Sequence, residues 1–298
     1  MFSPVDDIRA GLDPLGEALV ALRSAAQRRT VGAVYTPTAI VQAMLRWLQT
    51  QDAPARIVDP GAGSGRFTVA AGLAFPNAQL VAVEIDPLAA LVLRANLAVA
   101  GLAARTEVVV GDFRTLRLPP VVGRTAFIGN PPYVRHHDIP ADWKAWYSRH
   151  FAELGIRASA LAGLHLHFFL QTRLLAQPGD IGAYITSAEW LDVNYGSALR
   201  TLLLQGLGGV SLDVLEPSLA AFPGTATTAA VTCFRVAGVD QAAPQLRLQS
   251  VSSLADLRQL GAGAAVDRDR LASASRWSTI VRPAPVRTST GGEIAVGD

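Results

Sequence analysis

From residue 56 onward, apolar positions fall in short dense runs that end in glycine or an acid. Between them lie stretches with helical spacing. Runs at 56–59, 79–84, 107–110, 125–129, 182–186, 210–215 and 228–234 read as seven strands. Helices are expected through Val69 and Leu73, over 87–100, over 163–176 and near 195–205. Upstream, Leu12, Leu15, Leu19 and Leu22 give an amphipathic helix over 12–28. Thr36-Pro37 reads as a second helix start, with Thr36 as N-cap and Pro37 in the first turn. That helix runs through Ile40, Val41, Met44, Leu45 and Leu48. Residues 134–160 form a less regular insert. After about residue 238 the pattern weakens to one further candidate strand at 246–251, and the tail over 282–298 builds no element. Alternating strands and helices predict an α/β fold, a parallel sheet with helices on both faces.

Composition narrows this picture. Half of the 298 residues are apolar and 17% are charged, which suits a packed core and not a disordered chain. No apolar run reaches the roughly 18 residues of a membrane span, and the acidic start Met1-Phe2-Ser3-Pro4-Val5-Asp6-Asp7 lacks a signal pattern. The single Cys233 excludes an internal disulfide and suits core packing in a reducing, cytoplasmic setting. Net charge is only +2, so bulk charge does not advertise nucleic-acid binding. A mild basic bias from Arg105 to His150 surrounds the most informative segment of the chain.

That segment is Asn130-Pro131-Pro132-Tyr133, directly after the run at 125–129. It sits where open α/β sheets place ligands, beyond the carboxyl ends of strands. Proline biases Asn130 away from helix, and the two prolines stiffen the loop and offer no N–H. Exposed carbonyls, one amide and an aromatic face suit a planar substrate with an exocyclic amine. The amine donates to the Asn130 side-chain oxygen and the Pro131 carbonyl while Tyr133 stacks on the ring.

A second constellation is Asp59-Pro60-Gly61-Ala62-Gly63-Ser64-Gly65, joining the first strand to a helix. Its glycines permit close ligand approach, although this spacing alone also fits a dinucleotide fold. Glu84, in Val83-Glu84-Ile85-Asp86, lies 23 residues after Gly61 and can accept both hydroxyls of a ribose. Asp112, in Gly111-Asp112-Phe113, can accept from an adenine amine with Phe113 alongside. Asp59 beside the glycines would repel a pyrophosphate and attract an ammonium, which favours S-adenosylmethionine. His165 and His167 point to different helix faces and lack a third ligand, so no metal site is expected. His136-His137 read equally as phosphate contacts or solvated loop, and Trp143, Trp146 and Tyr147 read as a small local core.

The ordered series Tyr35-Thr36-Pro37, glycine loop, Glu84-Ile85-Asp86-Pro87, Gly111-Asp112-Phe113 and Asn130-Pro131-Pro132-Tyr133 resembles the gamma-class adenine-N6 DNA methyltransferases of restriction–modification systems. Gly163 to Phe169, Gly182 to Leu191 and Phe222-Pro223 extend the resemblance over roughly 30–236. It implies a Rossmann-like class I S-adenosylmethionine-dependent fold with a mostly parallel seven-stranded sheet. Further, it implies that Tyr35, Thr36, Pro37, Asp59, Pro60, Gly61, Ala62, Gly63, Gly65, Glu84, Ile85, Asp86, Asp112, Phe113 and Asn130 form the cofactor site. Asn130, Pro131, Pro132 and Tyr133 would carry catalysis, and Tyr133 and Phe222 would sandwich a base flipped out of double-stranded DNA. Expected domains are a helical lead over 1–30, a catalytic unit over 31–238 and an extension over 239–298. That extension is too short for the target-recognition domain of self-sufficient members, so a specificity subunit or absent domain is expected to supply recognition. A cytoplasmic, nucleoid-associated location follows. A protein glutamine or an RNA base on the same loop, and a non-catalytic cofactor-binding partner subunit, remain as alternatives.

Overall fold

The computed structural model describes residues 3–24, 35–219, 228–238 and 245–282. Its centre is one nine-stranded sheet in the order β3-β2-β1-β4-β5-β7-β6-β8-β9. The strands are β1 (Arg56–Pro60), β2 (Gln79–Glu84), β3 (Thr106–Val110), β4 (Thr125–Gly129), β5 (Ile181–Ser187), β6 (Gly209–Leu215), β7 (Ala229–Arg235), β8 (Gln245–Val251) and β9 (Ala264–Asp267). Pairing is parallel from β3 across to β5, and β7 runs antiparallel between β5 and β6. All seven expected strands are present. β8 pairs parallel to β6, and β9 pairs antiparallel to β8, so the sheet is two strands wider than the resemblance implied.

The central runs of β1, β4 and β5 are buried on both faces, because alternate side chains of one strand enter different layers, whereas β3 at the sheet edge stays partly exposed. Val58, Val83, Phe127 and Tyr184 join one core cluster, and Ile57, Ala82, Ile128 and Ala183 join the other. The first layer is filled by α6 (Ala141–Glu153), α7 (Leu164–Leu175) and α8 (Ser197–Leu204). The second is filled by α3 (Thr38–Gln49), α4 (Arg66–Ala74) and α5 (Pro87–Val99). The insert therefore contributes a helix; of the expected local core Tyr147 is fully buried and joins the main core with Phe151, while Trp143 and Trp146 are half-buried. Cys233 fills core space in β7.

Two local expectations need correction. The leading helix is a pair, α1 (Pro4–Arg9) and α2 (Pro14–Leu22), with Leu12 and Leu22 exposed, so the leucine stripe is not one buried face. Asp13, not a leucine, starts α2 by accepting the Gly16 N–H at 2.9 Å. The N-cap of α3 is Pro37, without a side-chain cap, because the Thr36 hydroxyl is engaged elsewhere.

This topology places the site. Strand order reverses between β1 and β4, and those neighbours run parallel in register Arg56↔Thr125 to Val58↔Phe127. Their carboxyl ends open side by side into the crevice where such sheets bind ligands. The glycine loop leaves β1, and the Asn-Pro-Pro-Tyr loop leaves β4.

Candidate active site

The glycine loop needs its glycines. Gly63 and Gly65 take φ of +58° and +98°, and a Cβ on Gly65 would come within 2.5 Å of Leu93. The Gly63 N–H donates to Glu84 Oε2 at 2.7 Å, and the Asp86 N–H donates to Oε1 at 2.8 Å. Glu84 is thus held at the end of β2 by two backbone donors, while burial pushes its carboxyl above the usual range. Ile85 beside it stays exposed, an apolar surface facing outward next to the loop. Asp86 caps α5 through the Leu88 N–H and pairs with Arg23. Those partners give Asp86 a structural part that the sequence did not suggest.

Asp59 lies at the end of β1, only 1% exposed. Its Oδ2 accepts from the Thr68 hydroxyl at 2.6 Å. Its Oδ1 has no hydrogen-bond partner among the described residues and lies 3.0 Å from where a Gly129 Cβ would stand. Burial pushes the Asp59 carboxyl up to about 7. A buried acid with no cation beside it among the described residues therefore sits between the two loops.

Asp112 ends the β3 edge and is clamped by Arg114, whose Nε and Nη2 approach its oxygens at 3.0 and 2.6 Å. The Arg114 guanidinium lies 3.9 Å over the Trp143 ring, which anchors the insert to the Asp112 loop. Phe113 is buried, with its ring 5.0 Å from that of Phe168. It forms the floor beneath the crevice and is less open to a ligand than the sequence suggested.

Phe168 is the site residue that sequence reasoning passed over. A Cβ on Gly61 would lie 3.5 Å from both Phe168 and Pro132, so the Phe168 ring lies against the glycine loop as well as against Phe113. Its only signal was an aromatic in the motif Gly163 to Phe169. Residues 165–172 are all buried, so helical period could not mark one face as special.

Asn130 donates from Nδ2 to the Thr36 hydroxyl at 3.0 Å, a contact across 94 residues. That bond fixes which way the amide turns. Pro131 is buried, while Pro132 and Tyr133 are half-buried. Tyr133 stacks on His165 at 5.8 Å and 28°. Burial pushes the phenol up and holds His165 down at about 4, so both rings stay neutral near neutral pH. The Leu164 N–H donates to the Val134 carbonyl at 2.9 Å and ties the loop exit to α7. His167 faces the other way, stacked on Tyr147 at 4.3 Å.

Tyr35 lies under Arg66, 3.7 Å from the guanidinium, and its hydroxyl donates to Glu17 at 2.5 Å. Arg66 also donates to the Thr36 carbonyl at 2.5 Å. Thus Thr36, Asp59, Gly61, Glu84, Asp112 and Asn130 gather along one sheet edge. Phe222, Pro223 and Thr227 lie outside the described residues.

A Listeria monocytogenes protein described as a class I S-adenosylmethionine-dependent methyltransferase matches this fold with a TM-score of 0.66 at 16% identity, over 85% of this chain and 78% of that one. The type I restriction-modification system methyltransferase subunit of Streptococcus thermophilus matches at 0.60 and 16% identity, over 79% and 55%. The fold is that of the class I S-adenosylmethionine-dependent methyltransferases. Within that class the chain belongs to the N-6 DNA Methylase family, which it matches over residues 14–165. Residues 125–207 also match the Eco57I restriction-modification methylase family. The Type II methyltransferase M.XamI of Xanthomonas campestris pv. amaranthicola is 63% identical over 267 residues, which is 90% of this chain and 50% of that relative. The chain therefore spans about half the length of this curated relative.

Proposed function

We propose that the chain transfers a methyl group from S-adenosylmethionine to N6 of an adenine flipped out of double-stranded DNA. The single observation that carries this is the placement of Asn130. Its amide is turned by Thr36 at the end of β4, directly beside the glycine loop at the end of β1.

The residues present fit the cofactor. Asp59 offers a buried oxygen without a partner among the described residues, which suits an ammonium group. Glu84 lies at the strand end where ribose hydroxyls are accepted, and exposed Ile85 gives an adenine a flat apolar seat. When bound, S-adenosylmethionine supplies an electrophilic methyl on a cationic sulfur. The protein then has to make adenine N6 nucleophilic, since its lone pair is delocalised into the ring. Asn130 and the Pro131 carbonyl accept the two N6 hydrogens and bias the nitrogen toward tetrahedral geometry. Methyl transfer to that nitrogen would leave one N6 hydrogen as a proton, which Asn130 or the Pro131 carbonyl would hand on to solvent. Fixed acceptors do this without reorganising during the reaction. Tyr133 supplies a neutral ring face for the flipped base, offsetting part of the few kcal/mol that flipping costs.

DNA is the macromolecular partner in this reading. Recognition of a particular DNA sequence falls to a specificity subunit or to chain outside the catalytic unit over 31–238. The lead over 1–30 and the extension over 239–298 flank that unit. The test is transfer of labelled methyl from S-adenosylmethionine to adenine-containing DNA, with RNA and a glutamine peptide as parallel arms. Label on N6 of DNA adenine that disappears in Asn130→Ala supports the proposal. Label on the peptide or only on RNA overturns it.

A further inference from the structure

Three side chains of the leading helices reach into the cofactor loops, and none is explained by the chemistry above. Asp13, 4% exposed, accepts from the Gly16 N–H and from Asn96 Nδ2, each at 2.9 Å. It also accepts from the Ser64 hydroxyl and lies 3.8 Å from Arg66 Nε. Glu17 takes the Tyr35 hydroxyl, and Arg23 pairs with Asp86, two residues past Glu84. Each tether ends on a loop assigned to the cofactor: the glycine loop, the Tyr-Thr-Pro segment and the loop after β2.

The contact is close. A Cβ on Gly16 would lie 2.4 Å from the Ser64 hydroxyl and 2.1 Å from Asp13 Oδ2, so the start of α2 rests directly on the glycine loop. Asn96 donates to the Ser64 carbonyl at 2.9 Å as well as to Asp13, which closes a ring of bonds around that one loop residue. Apolar burial contributes little by comparison. Ile8 and Leu19 are the buried apolar side chains of α1 and α2, and neither joins the two main core clusters. Helices of six and nine residues are marginal on their own. The pair is therefore held mainly through polar ties to the loops assigned to the cofactor.

We propose that α1 and α2 form a clamp that positions the cofactor loops, with Asp13 as its principal positioning residue and Glu17 and Arg23 as outer ties. Asp13 acts through Ser64 and Arg66 and does not touch the cofactor. Coupling of this kind is reciprocal: a docked clamp tightens cofactor binding, and bound cofactor holds the clamp down. The inference rests on S-adenosylmethionine as the ligand of the glycine loop.

The test uses the full chain in calorimetric titration with S-adenosylmethionine, together with hydrogen exchange over residues 3–24. Asp13→Ala, Glu17→Gln and Arg23→Ala are compared with the wild type. Asp13→Ala is expected to weaken cofactor binding about tenfold, with smaller losses for the two outer ties, while the KM for DNA stays unchanged. Cofactor is expected to slow exchange over 3–24 in the wild type and to lose that effect in Arg23→Ala. A scaffold role alone would lower the melting temperature and leave the cofactor affinity of the folded fraction intact. Should Asp13→Ala fail to fold, the variants of the two outer ties still decide the matter. No binding to the wild type overturns the cofactor assignment itself. Normal binding by the wild type with unchanged affinity in every folded variant overturns the clamp alone.

Discussion

The two halves of the crevice are built from different materials. On the β1–β3 side the loops are fastened by charge and hydrogen bonds: Asp13 to Ser64, Gly63 to Glu84, Thr68 to Asp59 and Arg114 to Asp112. On the β4–β5 side the loop is fastened by rings and stiff backbone. Two prolines, Tyr133 on His165, and Phe168 against Phe113 do the holding there. The difference follows from what each half is proposed to meet. A zwitterionic, cationic ligand needs oppositely charged groups held in place. A neutral base needs flat surface and a few acceptors. The cofactor half should therefore respond to pH and to loss of single charges, and the base half to loss of rings.

The largest effect separates the halves outright. Asn130→Ala removes an acceptor at the reacting atom and should lower kcat about 100- to 1,000-fold, the cost of losing one preorganised group. Calorimetric affinity for S-adenosylmethionine should change far less. Equal losses of kcat and cofactor affinity would mean that the halves are not separable. Next comes Tyr133→Ala. A stacked base is worth about 1–3 kcal/mol, so base capture should weaken by about ten- to a hundredfold. The readout is fluorescence of 2-aminopurine at the target position, and Tyr133→Phe should retain most of the signal because the ring on His165 remains.

Much of this division was legible in the chain. Central parallel strands are buried on both faces, so they appear as uninterrupted apolar runs, and the loops beyond them begin at glycine, acid or asparagine. That is why Asp59, Glu84, Asp112 and Asn130 could be placed on one edge. β9 escaped because Ala264–Asp267 is a short edge strand with only Val266 buried, and nothing local marks it. Thr36 was read as a cap because Thr before Pro usually starts a helix, whereas its hydroxyl serves Asn130 far along the chain. Long-range partners of this kind leave no trace in local pattern. Arg114 and Phe168 were missed for the same reason: their importance lies in what they touch across the fold.

The cofactor half should also carry a pH signature of two opposite signs. Asp59 is pushed up to about 7, and outside that half Asp213, buried in β6, is pushed up to about 6. Both lie above the ordinary carboxylate range, so the fold holds protons that the unfolded chain has released. The stability that these two groups contribute is full below about pH 4 and is lost as pH rises through 6 and 7. Cofactor affinity runs the other way, because an ammonium needs the Asp59 carboxylate ionised. It should rise close to tenfold between pH 6 and 8 for a group titrating near 7. Melting curves with and without S-adenosylmethionine across that range would show both trends. Asp59→Asn should flatten the affinity profile, and a profile unchanged in that variant would remove Asp59 from the ammonium site.

Arg114 gives the finest test, since it belongs to both halves. Its fork holds Asp112 on the cofactor side, and its flat face lies on Trp143 of the insert beyond the base loop. Arg114→Lys keeps the positive charge and loses the planar fork and the stacking. The cation–π contact that the substitution removes is worth about 1 kcal/mol, a factor of about five. The KM for S-adenosylmethionine should rise by about that factor, the KM for DNA should stay within about twofold, and Trp143 should shift its fluorescence toward that of a more hydrated indole. If DNA binding weakened as much as cofactor binding, Arg114 would be a hinge between the halves, and the boundary drawn here would have to move from between β1 and β4 into the insert.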